Sequence, residues 1–238
     1  MRVSINQPAY LPWLGYFDRI TISDLHVVLD QVQFEKNSVT NRNKIRTSAG
    51  WSWLTVPIKT KGKFGALEIN TIEIDNSTNW SEKHWKTICQ CYGKTPFFDQ
   101  HSPALAEIYG RSWDRLLDLT NHLNDYFLHE ALKITTPIRY GSELSSEGEK
   151  DDLVLNICRD VGATTYLSGP FGRDYLDEEK FLQAGIKIEY RDYVHPLYQQ
   201  RYQPFEPYMS AMDLIMNCGD KSLEILMSSQ INQENRYE

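Results

Sequence analysis

The stretch Val3-Ser4-Ile5-Asn6-Gln7-Pro8-Ala9-Tyr10-Leu11-Pro12-Trp13-Leu14-Gly15-Tyr16-Phe17 decides the fold. Arg2–Asn6 reads as a short apolar strand. It runs into a stiff loop with two prolines, and Trp13–Ser23 then reads as a helix with Phe17 and Ile20 on one face. A second apolar run, Leu25-His26-Val27-Val28-Leu29-Asp30, follows at once. Strand, helix and strand in this order form a βαβ unit, which implies a parallel sheet with a right-handed crossover. In such sheets the loop between a strand's C-terminal end and the next helix is where ligands bind. The motif starts almost at the first residue, so no signal peptide is expected before it.

Working outward, Gln31–Ile45 is polar and rich in Asn, Arg and Lys, and reads as ligand loop or edge structure. Trp53–Ile58 and Leu67–Ile74 read as strands, with a basic glycine turn at residues 60–65 between them. Helices are expected at Trp80–Tyr92, Ser102–Tyr109 and Ser112–Lys133, the first capped by Asn79 or Ser81. Ile134–Tyr140 reads as a strand. Alternation then returns: helix Lys150–Val161 ended by Gly162, strand 164–168, helix Asp177–Gln183 stopped by Gly185, strand Ile186–Tyr190 and helix Pro207–Cys218. The tail from Ser228 is polar, and its last residues are expected to fray. The fold class is therefore α/β, a mostly parallel Rossmann-like sheet with a central helical insertion or cap. Both ends of the chain feed the sheet, so one domain over 1–238 is expected, with 79–133 as its helical layer.

Composition narrows the function. The chain has 238 residues, 41% of them hydrophobic, enough for a sizeable core. No run of 18 apolar residues exists, so no integral membrane segment is expected. The net charge of −7 argues against a nucleic-acid partner. Cys89, Cys91, Cys158 and Cys218 lack metal-ligand spacing and fit free thiols in a reducing, cytoplasmic setting, with no metal site. The opening loop lacks GxGxxG, which disfavours classical NAD chemistry. A homodimer is the default assembly.

Several residues invite a chemical reading. Gln7 can donate and accept, Gly15 permits close approach to the backbone, and Tyr10, Trp13 and Tyr16 offer rings to a base or sugar. The rival reading is a packed structural loop. Asn41-Arg42-Asn43-Lys44 groups two cations and two amides suited to a diphosphate, against the plainer reading of a solvated turn. Asp30 ends a strand, where a carboxylate meets the ligand crevice. Gly169 follows a strand and opens a loop, and Asp177 reads as helix cap or acid. His195, in a polar aromatic loop, suits proton transfer near neutrality, and Asp213 is its candidate orienting carboxylate.

Three blocks carry a family resemblance. Gln7 to Phe17 with Asp30-Gln31-Val32-Gln33-Phe34, Asn41 to Ile45 and Trp53 to Pro57 form the first. Tyr166 to Pro170 with Tyr175-Leu176-Asp177 form the second. His195-Pro196, Tyr198-Gln199, Phe205 to Ser210, Asp213-Leu214 and Asn217-Cys218-Gly219 form the third. Together they resemble the WbqC-like family, whose members accompany bacterial surface-polysaccharide genes, including O-antigen and amino-sugar pathways. The resemblance adds Gln33 and Tyr198 to the expected binding residues. It implies a cytoplasmic transferase acting on a nucleotide-activated amino sugar, or another small phosphorylated substrate, with no cofactor indicated. The opening loop also resembles HIGH-type nucleotidylyltransferases, with Tyr10 and Tyr16 where histidines belong. Under that alternative Arg42, Lys44 and Arg46 supply the missing charge, and magnesium enters. A non-catalytic sugar-nucleotide binder or scaffold is the third reading.

Overall fold

The computed structural model describes residues 1–60, 62 and 67–234. The chain opens with β1 (Arg2–Asn6), α1 (Leu14–Thr21) and β2 (Leu25–Val28). An antiparallel hairpin follows, β3 (Arg42–Thr47) and β4 (Gly50–Thr55), then the helices α2 (Trp80–Tyr92), α3 (Phe98–Gly110) and α4 (Leu116–Asp125), the last continued by a π-helical turn over Tyr126–Ala131. Next come β5 (Ile138–Tyr140), α5 (Lys150–Asp160), β6 (Thr165–Ser168), α6 (Glu178–Gln183) and β7 (Lys187–Tyr190). Two helices close the described chain, α7 (Ala211–Cys218) and α8 (Ser222–Glu234).

These elements fall into two compact units, each discontinuous in sequence. The first holds residues 1–8, 15–32 and 135–194, and the second holds 9–14, 33–134 and 195–238.

The first unit is the parallel sheet that the βαβ motif requires. Its strand order is β5-β2-β1-β6-β7, and every pairing is parallel. The opening strand is thus the central one. Side chains alternate across a strand. Val3, Ile5, Leu25 and Val27 share one face and pack into a core with Leu153, Ile157 and Phe181 of α5 and α6. Ser4 and His26 lie on the other face, bonded to each other, with the Tyr16 ring of α1 edge-on to His26. The α/β class with a mostly parallel sheet, read from the sequence, is the observed one.

The second unit is built round the hairpin and α2, α3, α4, α7 and α8. Hairpin register pairs Arg42 with Thr55, Lys44 with Trp53 and Arg46 with Trp51. Ile45 and Leu54 point inward and are buried.

Some elements differ from expectation. Leu67–Ile74 is not a strand. It is a 3-10 turn at Ile69–Thr71 flanked by isolated bridges at Glu68, Glu73 and Ile74. The helix expected from Pro207 starts only at Ala211, because Tyr208 adopts a φ of 61° and Ser210 supplies the cap, accepting from the Met212 N–H. The polar tail from Ser228 begins inside α8, and its last residues, those expected to fray, lie outside the described residues. The basic glycine turn lies largely outside them as well.

Candidate functional site

The second unit concentrates the cationic block. Because β3 alternates, Arg42 and Lys44 project together from the hairpin, on the face that carries Trp51 and Trp53 of β4. Arg42 Cζ lies 4.4 Å from the centre of the Trp53 ring. Lys44 Nζ lies 4.2 Å from Trp51 and 5.5 Å from Trp53. Both indoles remain exposed, at 45% and 37%. The result is a ladder of cations and indole faces open to solvent.

Beside this ladder is a cavity of about 330 Å³ whose lining includes Gln33, Lys36, Asn41, Arg42, Thr55 and Leu67. Arg42 donates from Nη2 to the Asn37 carbonyl at 2.7 Å, while its buried Nε has no acceptor. Gln33 accepts from the Leu67 N–H, and Asn41 donates to the Val56 carbonyl. Three sequence-predicted binding residues, Gln33, Asn41 and Arg42, thus share one cavity. A shallower depression of about 200 Å³ collects Trp13, Asn43, Lys44, Trp53 and Tyr208.

His195 sits in an aromatic enclosure in the same unit. Its ring centre is 5.3 Å from Tyr208, 5.8 Å from Phe205 and 6.1 Å from Tyr198. Nδ1 lies 2.9 Å from the Pro196 carbonyl. A carbonyl only accepts, so Nδ1 carries the hydrogen and Nε2 the lone pair. Burial lowers the pKa of the ring, partly offset by that hydrogen bond, so it is neutral at neutral pH.

Asp213 does not orient His195 directly. Its Oδ2 accepts from Tyr198 Oη at 2.9 Å and Gln200 Nε2 at 2.8 Å. Fully buried, it has its pKa pushed up to about 6 by desolvation, against the lowering effect of Tyr198, Gln200, Tyr92 and Arg46. The link between the two residues runs through Tyr198, ring to ring and then hydroxyl to carboxylate.

The opening loop splits by role. Trp13 lines the depression, 5.8 Å from Tyr208. Tyr10 is fully buried, with its hydroxyl bonded to His84 Nδ1 and Tyr109 Oη, so it is a core residue and no stacking platform. Arg46 is also occupied: its guanidinium donates to the Thr47, Gly50 and Pro204 carbonyls and clamps the hairpin turn.

The remaining expected residues belong to the first unit. Asp30 is buried and both its oxygens accept from Ser142, from N–H and hydroxyl. Asp177 accepts from the Lys180 N–H and caps α6. Tyr16 and Gly15 are buried on α1, Gln7 is half-buried after β1, and Gly169 follows β6 against Arg19. Among the described residues no group of three or more His, Cys, Asp and Glu could hold a metal, and no helix is long and apolar enough to cross a membrane.

Sequence reasoning missed Trp51 in the ladder and Tyr208 in the depression. Trp51 was detectable, since its two-residue spacing from Trp53 matches that of Arg42 and Lys44.

The sequence matches the WbqC-like protein family over residues 7–225. This chain belongs to that family. The WbqC-like match takes in the hairpin, the aromatic enclosure and the sheet edge alike. The chain is 34% identical over 226 residues to the uncharacterized protein Rv1507c of Mycobacterium tuberculosis, covering 94% of this chain and 97% of that one. No solved structure matches it.

Proposed function

We propose that this WbqC-like protein is a cytoplasmic transferase that binds a nucleotide-activated amino sugar on the hairpin of its second unit and adds a group to it during bacterial surface-polysaccharide synthesis. The observation that carries this reading is the ladder of Arg42 and Lys44 on Trp53 and Trp51 beside the 330 Å³ cavity. Guanidinium and ammonium suit a diphosphate, and indole faces suit a base or the apolar face of a sugar ring. The family's association with polysaccharide genes supports the pathway. His195 is the proton acceptor: it takes a proton from the sugar's amine or hydroxyl as that group bonds to the donor's transferable group and the bond from that group to the donor's carrier breaks, releasing the carrier. Positioning supplies much of the rate, because a neutral amine is already nucleophilic.

The nucleotidylyltransferase alternative is weaker, since Tyr10 and Arg46, two groups it relies on, are consumed in the core and the hairpin turn.

Titration with UDP-, dTDP- and GDP-sugars, followed by tryptophan emission, tests the proposal. A saturable change is expected without magnesium. Arg42→Met and Trp53→Ala are each expected to weaken binding about tenfold or more. A flat response across the panel, or unaltered affinity in both variants, refutes it. A magnesium-dependent response to a free triphosphate points to nucleotidyl transfer instead.

A further inference from the structure

In the sheet of the first unit, chain order runs outward from β1 through β2 to β5, then returns to β6 and β7 on the other side. The switch point lies between β1 and β6, and the crevice at the C-terminal ends of those strands is the ligand position of doubly wound sheets. Asn6 ends β1 there, and Ser168 and Gly169 end β6.

Arg19 reaches this edge from the second turn of α1. Helical side chains tilt toward the helix N-terminus, which in a βαβ unit is the end nearest the strand C-termini. A β-carbon at Gly169 would lie 3.2 Å from Arg19 Nη1 and 3.3 Å from Cζ, so the guanidinium lies tight against the Gly169 backbone. Burial lowers the basicity of Arg19, and Tyr166, Tyr16, Tyr175 and Asp18 partly restore it.

What this cation lacks is an anion. The adjacent Asp18, fully buried, already meets Arg191 in two bonds, Nε to Oδ2 at 2.7 Å and Nη2 to Oδ1 at 3.0 Å. The neighbouring tyrosines are neutral, since burial raises the pKa of Tyr16, Tyr166 and Tyr175. His26 is neutral too. Among the described residues no acceptor or carboxylate bonds the Arg19 guanidinium. Two further buried groups in the same unit, Asn6 Nδ2 and His26 Nε2, also lack partners. Buried polar groups without partners beside a cation without a counter-ion are costly unless something completes them.

We propose that Arg19 is the centre of an oxyanion site at the switch point between β1 and β6, which takes the phosphate or carboxylate of a small ligand. The site lies in the first unit and does not depend on the hairpin reading.

Thermal unfolding at constant ionic strength tests it, with inorganic phosphate and malonate as separate probes, on wild type, Arg19→Met and Lys83→Met. Wild type is expected to gain about 5 °C or more in Tm at about a hundredfold excess over Kd. Arg19→Met is expected to lose more than half of that gain, and Lys83→Met, at an exposed cation on α2, to keep it. Without probe, Arg19→Met is expected to be at least as stable as wild type, because an unmatched cation has gone. A gain with phosphate alone assigns a phosphorylated ligand, one with malonate alone a carboxylate, and one with both a general oxyanion site. The proposal falls if neither probe stabilises wild type or if Arg19→Met keeps most of the gain. It also falls if Arg19→Met lowers Tm without probe, which would make Arg19 a structural residue.

Discussion

Two buried ionisable residues set opposite responses to acid. His26 has its pKa lowered to about 3, by burial first and by Arg19 second. The unfolded chain therefore binds more protons at this site below the ordinary histidine value, and stability is lost as pH falls through 6.5. Asp213 behaves inversely. Its folded pKa of about 6 exceeds the unfolded value, so its burial penalty is relieved as pH falls. Between about pH 7.5 and pH 5, His26 costs about 2 kcal/mol and Asp213 returns about 1 kcal/mol. Urea midpoints at these two pH values are expected to shift toward greater acid stability in His26→Gln and toward less in Asp213→Asn, each relative to wild type. Parallel shifts in the two variants would refute the assignment. At this scale the sequence was legible where residue type alone fixes the role. A cation on an outward-facing strand position, such as Arg42, lines a cavity while one arm of its guanidinium is held by the Asn37 carbonyl. It was illegible where a partner far along the chain decides: Tyr10 looked like a ligand platform until His84 and Tyr109 claimed its hydroxyl.

Elements were most legible where a local pattern and a local stop agree. β1 and α2 fall where period and punctuation put them, and Asp177 caps α6. Leu67–Ile74 alternates like a strand but finds only isolated bridges, because pairing partners are not encoded in alternation. α8 went unread because its apolar positions form no clear stripe. Glycine stops separate two physical demands. Gly162 has a φ of +73° and open space around it, whereas Gly219 has a φ of +53° and a β-carbon there would lie 2.2 Å from the Phe97 ring. Gly162→Ala is expected to cost about 1 kcal/mol, the left-handed strain alone. Gly219→Ala adds overpacking and is expected to cost about 3 kcal/mol or more. Chemical denaturation with matched m-values checks the ranking, and equal costs would show that Phe97 simply moves aside.

For the whole molecule, the chain passes between the two units five times, once at each junction of the six segments. Neither unit is continuous, so unfolding one loosens the ends that hold the other. All six tryptophans, at 13, 51, 53, 80, 85 and 113, belong to the second unit. Asp18→Asn breaks a buried ion pair in the first unit and is expected to cost about 3–5 kcal/mol. If the units unfold together, the urea midpoint seen by tryptophan emission falls with that seen by far-UV circular dichroism. An unmoved emission midpoint would show independent unfolding. The sequence made the parallel sheet legible through its opening βαβ unit. It left the five crossings hidden, since four lie in loops and one in the first turn of α1, none at a compositional break.

The central position of β1 also governs how the protein is made. Its partner β2 leaves the ribosome almost with it, but β6 follows only at residue 165, after residues 33–134 of the second unit have been synthesised. At roughly 5–20 residues per second, the middle strand waits about 8 to 32 s with one edge unpaired. Nascent chains are therefore most open to mispairing while that long segment of the second unit is being translated. Slower synthesis lengthens that exposure, and a chaperone that covers a bare strand edge would act in this interval.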